Sequence, residues 1–145
     1  MKKTIIAVVA IVIVASLFYY FRFLNKSEVI DIIKVDNKSD LIVVVSPINN
    51  SEVSSPLVIS GRARGTWFFE GSFPVELLDS YRNTIAQGHV TAQGEWMTED
   101  FVKFIGSLQF NNYIKGQKGI LVLKKDNPSG LVEYDDSVEV PVVFK

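Results

Sequence analysis

Leu57-Val58-Ile59-Ser60-Gly61-Arg62-Ala63 is the stretch that decides the fold. Its alternation sets Leu57, Ile59, Gly61 and Ala63 on one face and Ser60, Arg62 and Arg64 on the other, the period-2 signature of a half-buried strand. Similar runs recur on both sides of it, separated by turn residues. Upstream, Leu41–Val45 is β-branched and closes at Ser46-Pro47; Asn49-Asn50-Ser51 reads as a turn and Val53–Pro56 as an extended link. Downstream, strands are predicted at Ser72–Asp79, Thr84–Gln93, Phe101–Phe110 and Gly119–Lys125. Phe101–Phe110 sends Val102, Phe104, Leu108 and Phe110 to one side. Asp126-Asn127-Pro128-Ser129-Gly130 is a dense turn signal. In the last strand Val138, Val140, Val142 and Phe144 alternate with Glu139, Pro141, Val143 and Lys145. Pro141 cannot donate to a ladder, so this strand is expected at an edge or with a bulge. Seven strands and no convincing helix over residues 41–145 predict an all-β, immunoglobulin-like β-sandwich.

The amino-terminal end is of another kind. Thr4 to Phe21, TIIAVVAIVIVASLFYYF, carries no charge and lies between Lys2-Lys3 and Arg22. As a helix it spans roughly 27 Å, close to the ~30 Å hydrocarbon layer of a bilayer. Tyr19 and Tyr20 fall at one end, where amphipathic rings favour the interface. Residues 1–24 are therefore expected to form a single transmembrane anchor, with the lipid bilayer as partner of residues 4–21. The best signal-cleavage candidate, Val14-Ala15-Ser16, would cut inside the apolar run, so an uncleaved anchor is the favoured reading. Lys2 and Lys3 favour an inside amino terminus and an extracytoplasmic body, although Arg22 and Lys26 pull the other way. Residues 25–40 read as a juxtamembrane linker or stalk, with an apolar cluster at Val29–Val35 and a turn at Asp36–Asp40.

Composition narrows the functional classes. Of 15 basic residues three adjoin the anchor, so the remainder is acidic against 16 Asp and Glu, with no basic block. Nucleic acid is not an expected partner. Cysteine is absent, which excludes disulfides, thiolate metal sites and a lipid-modified cysteine anchor.

Ser55-Pro56-Leu57-Val58-Ile59-Ser60-Gly61-Arg62-Ala63, the Phe69-Glu70 pair and the closing Val138-Glu139-Val140-Pro141-Val142 together resemble the immunoglobulin-like domain family of bacterial spore germination. The stretches Gly65–Glu70, Trp96–Phe101 and Asp126–Gly130 look like a membrane-tethered variant of it. The resemblance spans Leu41 to Lys145. It implies an extracytoplasmic sandwich tethered in the bacterial envelope, and it implies no catalytic residues.

Candidate chemistry is sparse. His89 is the only histidine, mid-strand between Gly88 and Val90, and no Gly-x-Ser-x-Gly elbow exists to pair with it. Glu99 and Asp100 are adjacent, which suits a turn capped by carboxylates better than two groups facing across a cleft. Glu133-Tyr134-Asp135-Asp136, with Asp126 and Asn127, supplies oxygen ligands without the spacing of a calcium loop. No catalytic residue, metal site or cofactor is therefore assigned. Trp67, Phe68, Phe69 and Trp96 are the most informative group. If two loops meet at one end of the sandwich, these rings form a stacking platform with Arg62 and Arg64 orienting polar groups. The favoured reading of the rings is that they plug the open end of the core, with Arg62 or Arg64 paired to Glu70. The leading expectation is a non-enzymatic, membrane-anchored module that binds an envelope protein or cell-wall glycan. A structural spacer or self-associating assembly subunit comes second, and an acid/base hydrolase using Glu99, Asp100 or Glu70 third.

Overall fold

The computed structural model describes residues 38–145, together with Ser16. The membrane anchor expected over 4–21 and most of the stalk lie outside the described residues. Among the described residues no helix is long and apolar enough to cross a membrane.

Lys38–Lys145 forms one compact unit. Its strands are β1 (Ile42–Ser46), β2 (Ser51–Val53), β3 (Leu57–Arg64), β4 (Ser72–Asp79), β5 (Thr84–Ala92), β6 (Phe101–Leu108), β7 (Lys118–Lys124) and β8 (Ser137–Phe144). Three one-turn 3₁₀ segments, Lys38–Asp40, Gly65–Trp67 and Val132–Tyr134, join them. The strands hydrogen-bond in the order β1-β3-β6-β5-β4-β7-β8-β2.

Two features differ from the seven-stranded sandwich expected from sequence. The strands number eight, and they form one continuous curled sheet instead of two separate ones. The layers are joined because β5 pairs with both neighbours at the same residues. Val90, Thr91 and Ala92 face Gly106, Ile105 and Phe104 of β6, while Thr91 and Val90 also face Ser72 and Phe73 of β4. The additional strand, β2, runs parallel to β8, with Ser51 opposite Val142 and Val53 opposite Phe144. Its residues were read as turn and link because three residues give no alternation to detect.

The inward faces close on an aliphatic and aromatic core. Ile59, Ala63, Phe73, Leu77, Val90, Leu121 and Leu123 are fully excluded from solvent, and among the described residues no polar or charged side chain is buried. Phe73 of β4 meets Phe104 of β6 edge-on, with ring centroids 5.0 Å apart, so the two halves of the curl pack against each other. The opposite end of the core is filled by Phe110, Tyr113 and Phe144, each within 6 Å of another ring.

Pro141 is accommodated without an edge position. β8 is second from the end of the sheet, and the Pro141 carbonyl accepts from the Asn50 N–H at 2.6 Å on the side away from β7. The nitrogen of a strand residue points to the same side as its carbonyl. The missing N–H therefore faces the stretch just before β2 begins, where the ladder needs no donor.

The two ends of the sheet, β1 and β2, are consecutive in the chain. Pro47 to Asn50 join them, so a single short connection spans the open side of the curl.

Candidate functional site

Two loops meet at one end of the domain, the geometry on which an aromatic platform depended. The β3–β4 connection and the β5–β6 connection are tied by Gly65 N–H to the Asp100 carbonyl at 3.2 Å and by Ala92 N–H to the Gly71 carbonyl at 2.8 Å. Gly65 leaves no room for a side chain: a Cβ there would stand 2.9 Å from the Thr98 carbonyl carbon and overlap the Thr98 and Trp96 oxygens. The second loop is thus seated on bare backbone of the first.

The order of residues within the first loop separates the aromatic rings. The 3₁₀ turn at Gly65–Trp67 directs Trp67 and then Phe68 inward, where they are 1% and 4% exposed. Both pack edge-on against Phe73, at 6.3 and 5.2 Å between centroids. Phe69 then pairs with Ser72 in a two-residue hairpin, with Glu70 (φ 50°) and Gly71 (φ 75°) both left-handed, a type I′ turn. Phe69 is 40% exposed. Trp96 is half-buried, its indole edge against Gly71.

The four-ring platform is therefore divided. Trp67 and Phe68 belong to the core, and Phe69 and Trp96 reach the surface. The Trp67 Nε1–H is buried without an acceptor. Such an orphan donor costs about 1–3 kcal/mol, whereas burying an indole recovers roughly 4–6 kcal/mol, so the ring stays inside.

The arginines take partners other than those expected. Neither pairs with Glu70. Arg64 donates from Nε to the Asp40 carbonyl at 2.9 Å and from a terminal nitrogen to the Glu99 carbonyl at 3.2 Å. Both guanidinium groups lie over the Phe101 ring, Arg64 at 4.3 Å and Arg62 at 5.1 Å from its centroid. Phe101 was not singled out from sequence, although its position opposite to Val102 and Phe104 already put it on the outer face with Lys103 and Ile105. What sequence withheld was the register that sets Arg64 opposite Phe101 and Arg62 opposite Lys103.

The remaining candidates resolve into structural roles. The 95–100 loop is held by the Glu95 carboxylate, accepting from Met97 N–H at 3.0 Å, and by the Thr98 hydroxyl, accepting from Asp100 N–H at 3.2 Å. Glu99 and Asp100, expected to act as those caps, contribute backbone carbonyls instead. His89 lies exposed on β5, opposite Pro74. In the acidic loop Asn127 donates to Asp135 at 2.7 Å and to the Leu131 carbonyl at 2.8 Å, and Asp136 pairs with Lys38. Among the described residues no three His, Asp or Glu side chains converge on a metal-sized site.

A curled sheet, antiparallel except for the β2–β8 pair and wrapped on an apolar core, with its loops gathered at the two ends, defines an immunoglobulin-like domain. More particularly, residues 41–130 match the family described as the immunoglobulin-like domain of bacterial spore germination, and the chain belongs to that family. The matched span ends at Gly130, so the closing strand β8 lies beyond it. No curated protein and no solved structure gives a significant match.

Proposed function

We propose that this chain is a non-enzymatic recognition module, held at the cell membrane by residues 4–21 with its immunoglobulin-like body outside the cytoplasm, where it binds an envelope protein or cell-wall glycan. The observation that carries the reading is the end of the domain where the two loops meet. Phe69 and Trp96 reach the surface there, and Phe101 of the adjoining strand lies under Arg62 and Arg64, so aromatic and cationic groups are presented on a rigid scaffold. Hydrolysis by Glu70, Glu99 or Asp100 draws no support from the geometry, because Glu70 occupies a tight turn and the other two flank one loop. Tethering raises the local concentration of the module at the membrane, so modest affinity suffices.

Crosslinking on intact cells tests the proposal, with photoreactive residues at positions 69 and 96. Capture of an envelope protein or glycan is the expected result. The tether is tested separately: the full chain should remain in the membrane fraction through a high-salt wash and leave it in detergent. Recovery of the chain in the cytosolic fraction would end the reading. The assembly alternative is favoured by the edge of β1, which no other strand pairs among the described residues, and it predicts concentration-dependent sedimentation of the purified chain.

A further inference from the structure

We infer that the outer face beside β1 is a docking groove for an extended, acidic segment of a partner protein, one that alternates carboxylate and aliphatic side chains along a single face. This rests on the recognition reading above and names the class of partner. Arg62 and Lys103 stand directly opposite each other on neighbouring strands of that face, and Arg64 follows two residues along β3. Like charges at opposed positions repel. None of the three forms an ion pair among the described residues, where the salt bridges are Lys38–Asp136, Arg82–Glu139, Lys124–Glu76 and Lys145–Glu52. The face thus holds a concentration of positive charge that an incoming carboxylate relieves.

The groove is of mixed chemistry, and that selects a peptide over a polyanion. About 500 Å³ in volume, it is lined at its cationic end by Arg62 and Lys103 and at its other end by Val45, Ser60 and Ile105. Val45 is 63% and Ile105 47% exposed. Lys103 and Ile105 are two residues apart on β6, roughly 6.7 Å, which is also the separation of side chains i and i+2 in an extended peptide. A segment reading acidic-x-aliphatic therefore sets its carboxylate at the cations and its next same-face side chain against Val45 and Ile105. A polyphosphate or acidic glycan satisfies the first end and wastes the second.

The edge of β1 lies one strand beyond the cations of the groove. β1 ends the sheet, and its far side carries no strand among the described residues. Arg64 N–H donates to the Leu41 carbonyl at 2.8 Å, so the alternation of an antiparallel ladder turns the backbone groups of Ile42 and Val44 away from β3, toward the open edge. The bulge between Val44 and Ser46 ends the straight part of that edge. A segment seated over β3 and β6 lies on the sheet face and leaves that edge free, so its recognition rests on the side-chain contacts in the groove.

Fluorescence anisotropy tests this on the full chain in detergent micelles with three labelled probes. They are a Glu-Ser-Val-Ser-Glu-Ser-Val peptide (the Glu-Val peptide, with Glu and Val alternating along one face), a Glu-Ser-Ser-Ser-Glu-Ser-Ser peptide of equal charge (the Glu-Ser peptide), and inorganic polyphosphate. The Glu-Val peptide should bind at least tenfold tighter than the other two. The double variant Arg62→Glu, Lys103→Glu should weaken it at least tenfold, and Val45→Asp should weaken it while the thermal midpoint stays within a few degrees. Equal binding of polyphosphate or the Glu-Ser peptide would overturn the proposal in favour of an anionic polymer. Absence of binding, or binding unchanged by the double variant, would overturn it outright. Because the probes are added in solution, failure here leaves the tethered-module reading standing, and cytosolic recovery of the chain would remove that reading without touching this result.

Discussion

Gly65→Ala is the sharpest perturbation of the loop end. The φ of Gly65 lies outside the left-handed region, so alanine meets no backbone strain there and the effect is one of space alone. The added methyl meets backbone atoms of Trp96 and Thr98, which no change of rotamer can move. To restore an ordinary contact the 96–98 segment must retreat, and the bond from Gly65 N–H to Asp100 at 3.2 Å is lost with it. Overpacking of this kind costs about 1–3 kcal/mol and a lost hydrogen bond about 1 kcal/mol. Replacing glycine returns about 0.4–1 kcal/mol by restricting the unfolded chain. The net is a loss of roughly 2 kcal/mol, which for a domain of this size lowers the thermal midpoint by about 8 °C. Circular dichroism measures the midpoint, and tryptophan fluorescence should redshift as Trp96 lifts from Gly71. A midpoint within 2 °C of the parent, with unchanged emission, would refute the seating of the loop on Gly65. Gly94→Ala is the matched contrast: nothing lies within 4 Å of its Cβ position, but its φ of +130° excludes alanine, so it should destabilise without altering the Trp96 signal.

Other outcomes follow from the same geometry. Trp67→Ala should cost about 3–5 kcal/mol by opening a cavity, whereas Phe69→Ala at the surface should cost under about 1 kcal/mol; equilibrium denaturation of both variants separates core ring from surface ring. Lys103→Glu converts the opposed Arg62–Lys103 pair into an attractive one and should stabilise by about 0.2–1 kcal/mol, a gain that disappears in thermal melts at 1 M salt. Asp79 closes the β4–β5 turn by accepting from the Asn83 side chain at 3.0 Å and from the N–H groups of Asn83 and Tyr81, both at 2.8 Å. The Asn83 side-chain bond, aided by those N–H groups, holds its carboxyl below the ordinary value of 3.8. A lowered folded value means that the stabilisation is present above the ordinary value and is lost as pH falls through the folded one. Asp79→Asn should therefore flatten the fall of the thermal midpoint between pH 5 and pH 2.

The fold was legible wherever alternation ran for five residues or more. Leu57–Arg64 and Ser137–Phe144 carry their burial pattern openly, because every second side chain enters the core. β2 escaped because its partner is β8, at the far end of the chain, and a parallel pairing leaves no local signature. The single continuous sheet escaped for a related reason: that β5 pairs on both sides is a fact of register, which composition does not encode. At the loop end, sequence named the two loops that meet but not the direction of each ring. Trp67, Phe68 and Phe69 are adjacent and similar in hydrophobicity, and only the turn at Gly65–Trp67 decides which two enter the core. The arginines were recognised as outer-face residues, and their common contact, Phe101, required the β3–β6 register.

The pairing of β2 with β8 also fixes when the molecule can be finished. Ser51 finds its neighbour Val142 about ninety positions later, so the clasp across the open side of the curl cannot fasten until the last strand has been delivered. Long-range pairings of this kind are slow to form, because loop closure must precede any reward from contact. Without β8 the chain would leave β2 with no ladder and the core without Val140, Val142 and Phe144. Closure of the domain is thereby made to wait for its own last strand.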